Sequence, residues 1–136
     1  MAASTIADAG FLVALLSRRD RFHDWAAAQA HEHPLPWHTC EAALSESFHL
    51  LGKAGLAPMS ALLKRGALVT SFVLDRNQQQ VLSLIRKYSQ MPMSLADACI
   101  VRMSELHAQA TVLTTDGDFR VYRRHSRQTI PCVLPA

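Results

Sequence analysis

Apolar positions along the chain fall into two alternating kinds of run. Short dense ones, Thr5 to Asp8, Pro36 to Thr39, Ala67 to Leu74, Thr111 to Thr114 and Ile130 to Leu134, read as strands. Between them lie longer stretches with the period of a helix: Phe11 to Ser17, Asp20 to about Ala30, Thr39 to Leu51, Met59 to Arg65, Asn77 to Tyr88, and Leu95 to about His107. Asp20 and Thr39 are suited to cap the second and third helices, and Gly52 and Gly66 to end the third and fourth. Pro92 breaks the chain before the last long helix. Ala67 to Leu74, β-branched and without alternation, has the look of a strand buried on both sides. Strands alternating with helices predict an α/β fold, three layers α/β/α around a mostly parallel central sheet.

The chain of 136 residues suits one domain, 1–136, with a core of its own. With 49% hydrophobic and 18% charged residues, it is expected to be globular. The first apolar stretch, Gly10 to Leu16, is too short to span a bilayer, and Arg18 and Arg19 follow it where a secretory signal would have them first. A cytoplasmic protein with no membrane association is the expectation. Cys40, Cys99 and Cys132 are widely spaced and contain no Cys-x-x-Cys pair, which argues against a disulfide framework or a zinc site. His31 and His33, close together in a proline-bounded loop, are poor candidates for a metal site. The net charge of +3 leans only mildly towards polyanionic partners.

Charge changes the picture through where the acids fall. "TVLTTDGDF" (111–119) is an apolar run that stops on Asp116 and Asp118 around a glycine. An Asp-Gly turn is one explanation; a cation site at the end of a parallel strand is the other. Asp8 ends the first strand, where it can cap the following helix. Asp97, in "MSLADACIVRMSEL", has the Ser94-x-x-Asp97 spacing of a capping box, yet projects between Ile100 and Val101 on a stripe without lysine or arginine. Glu46, in "TCEAALSESFHLL", projects away from Leu44, Phe48 and Leu51 and is a weak signal alone. In a parallel sheet the ends of the first and fourth strands share an edge. Several carboxylates gathered there would repel and raise one another's pKa unless a cation joined them, and oxygen ligands select Mg²⁺ or Mn²⁺.

Taken together, "ADAGFLVALLSRRDRFHDWA", "TCEAALSESFHLL", "KYSQMPMSLADACIVRMSE" and "VLTTDGDFRVYRR" with "PCVLP" resemble PIN-domain ribonucleases, in particular the VapC-like toxins of bacterial toxin–antitoxin pairs. The resemblance spans nearly the whole chain. It implies a PIN-like fold and a metal-dependent endoribonuclease whose acidic quartet is Asp8, Glu46, Asp97 and Asp116, with Asp118 as an accessory ligand and Mg²⁺ (or Mn²⁺) as cofactor. Glu41 is a rival to Glu46. It also implies an RNA substrate, an antitoxin partner and a homodimer. Many relatives have Thr or Ser after the first Asp, where this chain has Ala9, so a hydroxyl orienting Asp8 is missing from that position. Thr114 and Thr115 could orient Asp116 or a water.

Arg123, Arg124, His125 and Arg127 follow the acidic turn and could hold RNA, with Thr115 beside them; Arg18, Arg19 and Arg21 could rim the same cleft. Tyr122 and Trp25 are candidate stacking platforms, Trp25 more naturally a core or interface aromatic. Two rival functions remain: a non-catalytic RNA- or protein-binding module with a degraded site, which Ala9 would suit, and a phosphatase or dehalogenase built on Asp116-Gly117-Asp118. The second rival is disfavoured because its nucleophilic Asp normally follows the first strand.

Overall fold

The computed structural model describes residues 4–136. Five parallel strands, β1 (Thr5–Ala7), β2 (Trp37–His38), β3 (Leu68–Val69), β4 (Thr111–Leu113) and β7 (Cys132–Val133), form one sheet in the order β3-β2-β1-β4-β7. Six helices, α1 (Ala9–Leu16), α2 (His23–Glu32), α3 (Glu41–Leu51), α4 (Leu56–Lys64), α5 (Gln78–Lys87) and α6 (Leu95–Leu106), cover it. The period-two rule decides which side chain goes to which layer. Ile6 and its β4 partner Val112 face a core built with α5 and α6; Ala7 and its partner Leu113 face a second core built with α1, α2 and α4. Trp37 and its β3 partner Leu68 join that second core. This is the expected α/β/α arrangement.

The connections run from β1 outwards to β2 and β3, then return past β1 to β4. Strand order therefore reverses between β1 and β4, and in open α/β sheets the crevice at such a reversal, beyond the strands' carboxyl ends, is where ligands bind. Gly52 and Gly66, both with positive φ, end α3 and the turn after α4.

Several local expectations are corrected. The helix after α3 starts at Leu56, with Pro58 inside its first turn, where the missing N–H has no intrahelical partner to lose. The third strand is only Leu68–Val69; Thr70, Ser71, Val73 and Leu74 are exposed, and the chain leaves the sheet. Asp20 holds the Phe22 N–H at 2.9 Å in a turn, and α2 begins later, at His23. Cys40, not Thr39, precedes α3; the Thr39 hydroxyl instead donates to the Ala7 carbonyl at 2.7 Å and ties the end of β2 to the end of β1. Asp116-Gly117 opens a 3₁₀ turn, Gly117–Arg120, and no hairpin. A hairpin does follow, β5 (Arg123–Arg124) with β6 (Gln128–Thr129), its tip using positive φ at His125 and Ser126. Cys40 and Cys99 are free and buried, and Cys132 is free and half-buried. Among the described residues no helix is long and apolar enough to cross a membrane.

Candidate active site

Asp8 follows β1 directly, and Thr114 and Asp116 follow β4, so the parallel register of β1 on β4 brings them together at one edge. Asp8 is buried, 4% exposed. Its Oδ1 accepts the Ala9 N–H at 2.8 Å, which caps α1, and its Oδ2 accepts the Thr114 hydroxyl at 2.7 Å. The same Thr114 oxygen accepts the Asp116 N–H at 3.0 Å, and Asp116 Oδ1 accepts the Asp118 N–H at 2.9 Å. One buried threonine thus links the two strand-end aspartates. The hydroxyl absent at position 9 is supplied from β4, and it serves Asp8 and Asp116 together.

Asp97 sits in the first turn of α6. Its Oδ2 accepts the Ser94 N–H at 3.0 Å while the Ser94 hydroxyl accepts the Asp97 N–H at 3.0 Å, a complete capping box. Capping and site membership are not alternatives here: Oδ1 of Asp97 takes no hydrogen bond among the described residues, and both Asp8 and Asp97 lie at helix N-termini, whose partial positive charge favours carboxylates. Glu46 stands exposed on α3, while Ala43 and Ser47 are that helix's deepest positions. Glu41, the rival, is exposed at the first position of α3.

These acids act on one another. Burial pushes the Asp8 carboxyl up to about 7; its bonds from Thr114 and Ala9 pull the other way, and Asp97 and Glu46 add to the rise. Asp97 is raised by burial and by Asp116 and Asp118, against the lowering of its Ser94 bonds. Glu46 is raised by partial desolvation and by Asp97 and Asp116. Among the described residues the sole ion pair is Arg102 with Glu105 at 3.2 Å, both half-buried on α6, so no acid of this edge is neutralised by its own cation. No group of three or more His, Cys, Asp or Glu is already arranged to hold a metal ion among the described residues. The donor set nevertheless fits a hard divalent cation in chemistry: carboxylate oxygens from four segments, mutually repelling and short of positive charge.

The remaining expected residues are placed as follows. Thr115 packs against the start of α1, so closely that a Cβ on Gly10 would collide with its Oγ1. Arg123 directs its guanidinium to the carbonyls of Arg120, Val121 and Tyr122 (2.7–3.1 Å), and Arg124 directs its own to Ser104 and Ala108 (2.9 and 3.2 Å) at the end of α6. Arg127 and His125 are exposed at the hairpin tip, which Glu105 and Lys87 hold through backbone bonds to His125 and Ser126. Arg18 and Arg19 lie past the far end of α1 from Asp8 and do not rim this edge. Tyr122 is no stacking platform, being fully buried with edge-on contacts to Phe119 and Tyr88; Trp25 packs edge-on to Phe11. Sequence reasoning missed the Thr114–Asp8 bond and gave Tyr122 the wrong setting. Four apolar or β-branched residues leading up to Thr114 were the available signal that its hydroxyl would be buried.

A family model described as PIN domain matches residues 5–124, and the chain belongs to that family. The crystal structure of VapC20 from Mycobacterium tuberculosis, described as a sarcin–ricin loop cleaving toxin, matches with a TM-score of 0.78 and 20% identity over 92% of this chain and 99% of that one. At that identity the likeness speaks to the fold. No curated protein matches significantly.

Proposed function

We propose that this chain is a Mg²⁺- or Mn²⁺-dependent endoribonuclease and the toxin of a toxin–antitoxin pair. The observation that carries the reading is an edge of carboxylates, at the strand reversal between β1 and β4, that raise one another's pKa and among the described residues pair with no arginine or lysine. Asp8, Glu46, Asp97 and Asp116 would hold the cation, with Asp118 accessory. A bound divalent ion supplies a water of lowered pKa and neutralises phosphate charge. The chain's own part is to present the oxygens: Thr114 fixes Asp8 against Asp116, the Ser94 capping box fixes Asp97, and Thr115 packs the turn onto α1. In-line attack of a water on phosphorus would break one P–O bond of the RNA backbone, the departing ribose oxygen taking up a proton, to leave one phosphate end and one hydroxyl end. Of Arg123, Arg124 and Arg127, Arg127 is the one whose side chain is exposed and bonds no carbonyl among the described residues; Arg123 and Arg124 shape the hairpin that carries it.

The non-catalytic alternative rested on Ala9. With Thr114 donating to Asp8, no specific observation favours it. An antitoxin covering the acidic edge and a homodimer belong to the same proposal. Because the VapC20 toxin is described as cleaving the sarcin–ricin loop, structured RNA of that kind is the first substrate to try. With purified protein, cleavage should need Mg²⁺ or Mn²⁺, stop with EDTA, and vanish in Asp8→Asn and Asp97→Asn while circular dichroism is unchanged. Cleavage retained in both well-folded variants would defeat the reading.

A further inference from the structure

Two tyrosines touch beneath the acidic edge, with ring centroids 5.1 Å apart, and their hydroxyls fare differently. Tyr88 is satisfied: its oxygen accepts the Arg123 N–H at 2.8 Å. Tyr122 is fully buried, and its hydroxyl has no hydrogen-bond partner among the described residues. A phenol sealed from water without a partner is unfavourable, and a phenylalanine would pack the same space without that penalty.

Its place in the fold explains the choice. The Tyr122 N–H donates to the Asp118 carbonyl at 2.9 Å, so the residue closes the turn that begins at Asp116. Its ring packs on Phe119 in the core shared with Ala96 and Ala98, the neighbours of Asp97. The backbone bond to Asp118 and the core shared with the neighbours of Asp97 place the residue directly under the acidic turn. In keeping with that placing, burial first, and then Asp97, Asp118 and Asp116, push the phenol's pKa up. Carboxylates that bind cations are commonly held in place by such donors.

We propose that Tyr122 is a positioning residue of the acidic site, its buried hydroxyl donating to Asp97 when that carboxylate serves as a ligand. This rests on the metal-site reading above. It goes beyond that reading by adding a neutral donor that belongs to no acidic motif. The test is calorimetric titration of the metal-free protein with Mn²⁺, alongside thermal melting without metal. Tyr122→Phe should weaken Mn²⁺ binding roughly 10-fold while its metal-free Tm stays level or rises. Tyr88→Phe, which alters the same aromatic contact, should leave Mn²⁺ affinity unchanged. Unchanged affinity in Tyr122→Phe, or equal losses in both variants, would overturn the role for Tyr122 alone, provided wild type binds Mn²⁺ and Asp97→Asn does not. Wild type that fails to bind Mn²⁺ would overturn both the role and the reading beneath it.

Discussion

Two charged regions stand close together in sequence, and the fold treats them in opposite ways. The two arginines of β5 are spent on structure: Arg123 and Arg124 direct guanidinium N–H groups to backbone carbonyls that end a turn and a helix. The acids at the end of β1, after β4 and at the start of α6 are left to face one another, although basic residues are the more numerous in the chain. Carbonyls at helix ends are natural partners for guanidinium groups. Carboxylates left without cations are not at rest, and burial keeps Asp8 raised to about 7. What differs is therefore purpose. One region is complete in the folded chain, and the other is the one we propose to take up a cation.

The comparison is broken most severely at Thr114. Thr114→Val keeps the shape but removes the hydroxyl that serves Asp8 and Asp116 together. Cleavage and Mn²⁺ affinity should each fall roughly 10- to 100-fold, measured by RNA cleavage rate and titration. A variant with wild-type values would mean the link is incidental.

A second effect is thermal. Free Asp8 titrates from an ordinary value of 3.8, and in the folded protein from about 7, so between these the folded chain holds a proton the unfolded chain has released. Metal-free stability should therefore fall as pH rises through that window and level off above it. The raised values of Asp97 and Glu46 act in the same direction. His38, lowered by burial and by His107, opposes this below its usual 6.5, so the clean comparison is between pH 6.5 and 8. Tm should drop over that range by an amount on the order of 5 °C, and Asp8→Asn should flatten the slope and melt higher than wild type at pH 8. An identical slope in the variant would show that Asp8 is not the source.

The smallest effect separates the arginines. Arg127→Ala should weaken RNA binding a few-fold and reduce the slope of log affinity against log salt by about 1, with Tm unchanged. Arg124→Ala should do the reverse, lowering Tm while leaving the salt slope alone. Matching salt slopes for the two variants would erase the distinction between them.

Much of the layer order was legible because strand and helix periods decide it residue by residue; Ile6 and Ala7 go to opposite cores, as adjacent strand positions must. The overlong third strand was not, since β-branched residues from Ala67 onwards carry no mark of where the sheet lets go. The hairpin escaped because its tip takes positive φ at His125 and Ser126, without a glycine or asparagine to announce it. In the candidate site, the placing of Asp8 and Asp116 after strands and of Asp97 in the first turn of a helix could be read from the pattern. Thr114 could not be paired with Asp8, because that bond joins positions 106 residues apart and exists only through the β1–β4 register.

The most direct measurement is the titration of metal-free protein with Mn²⁺ at neutral pH, wild type beside Asp97→Asn, with circular dichroism to certify both folds. The account predicts saturable binding by wild type and its loss in the variant. No binding by wild type, or the same binding by both, would contradict it.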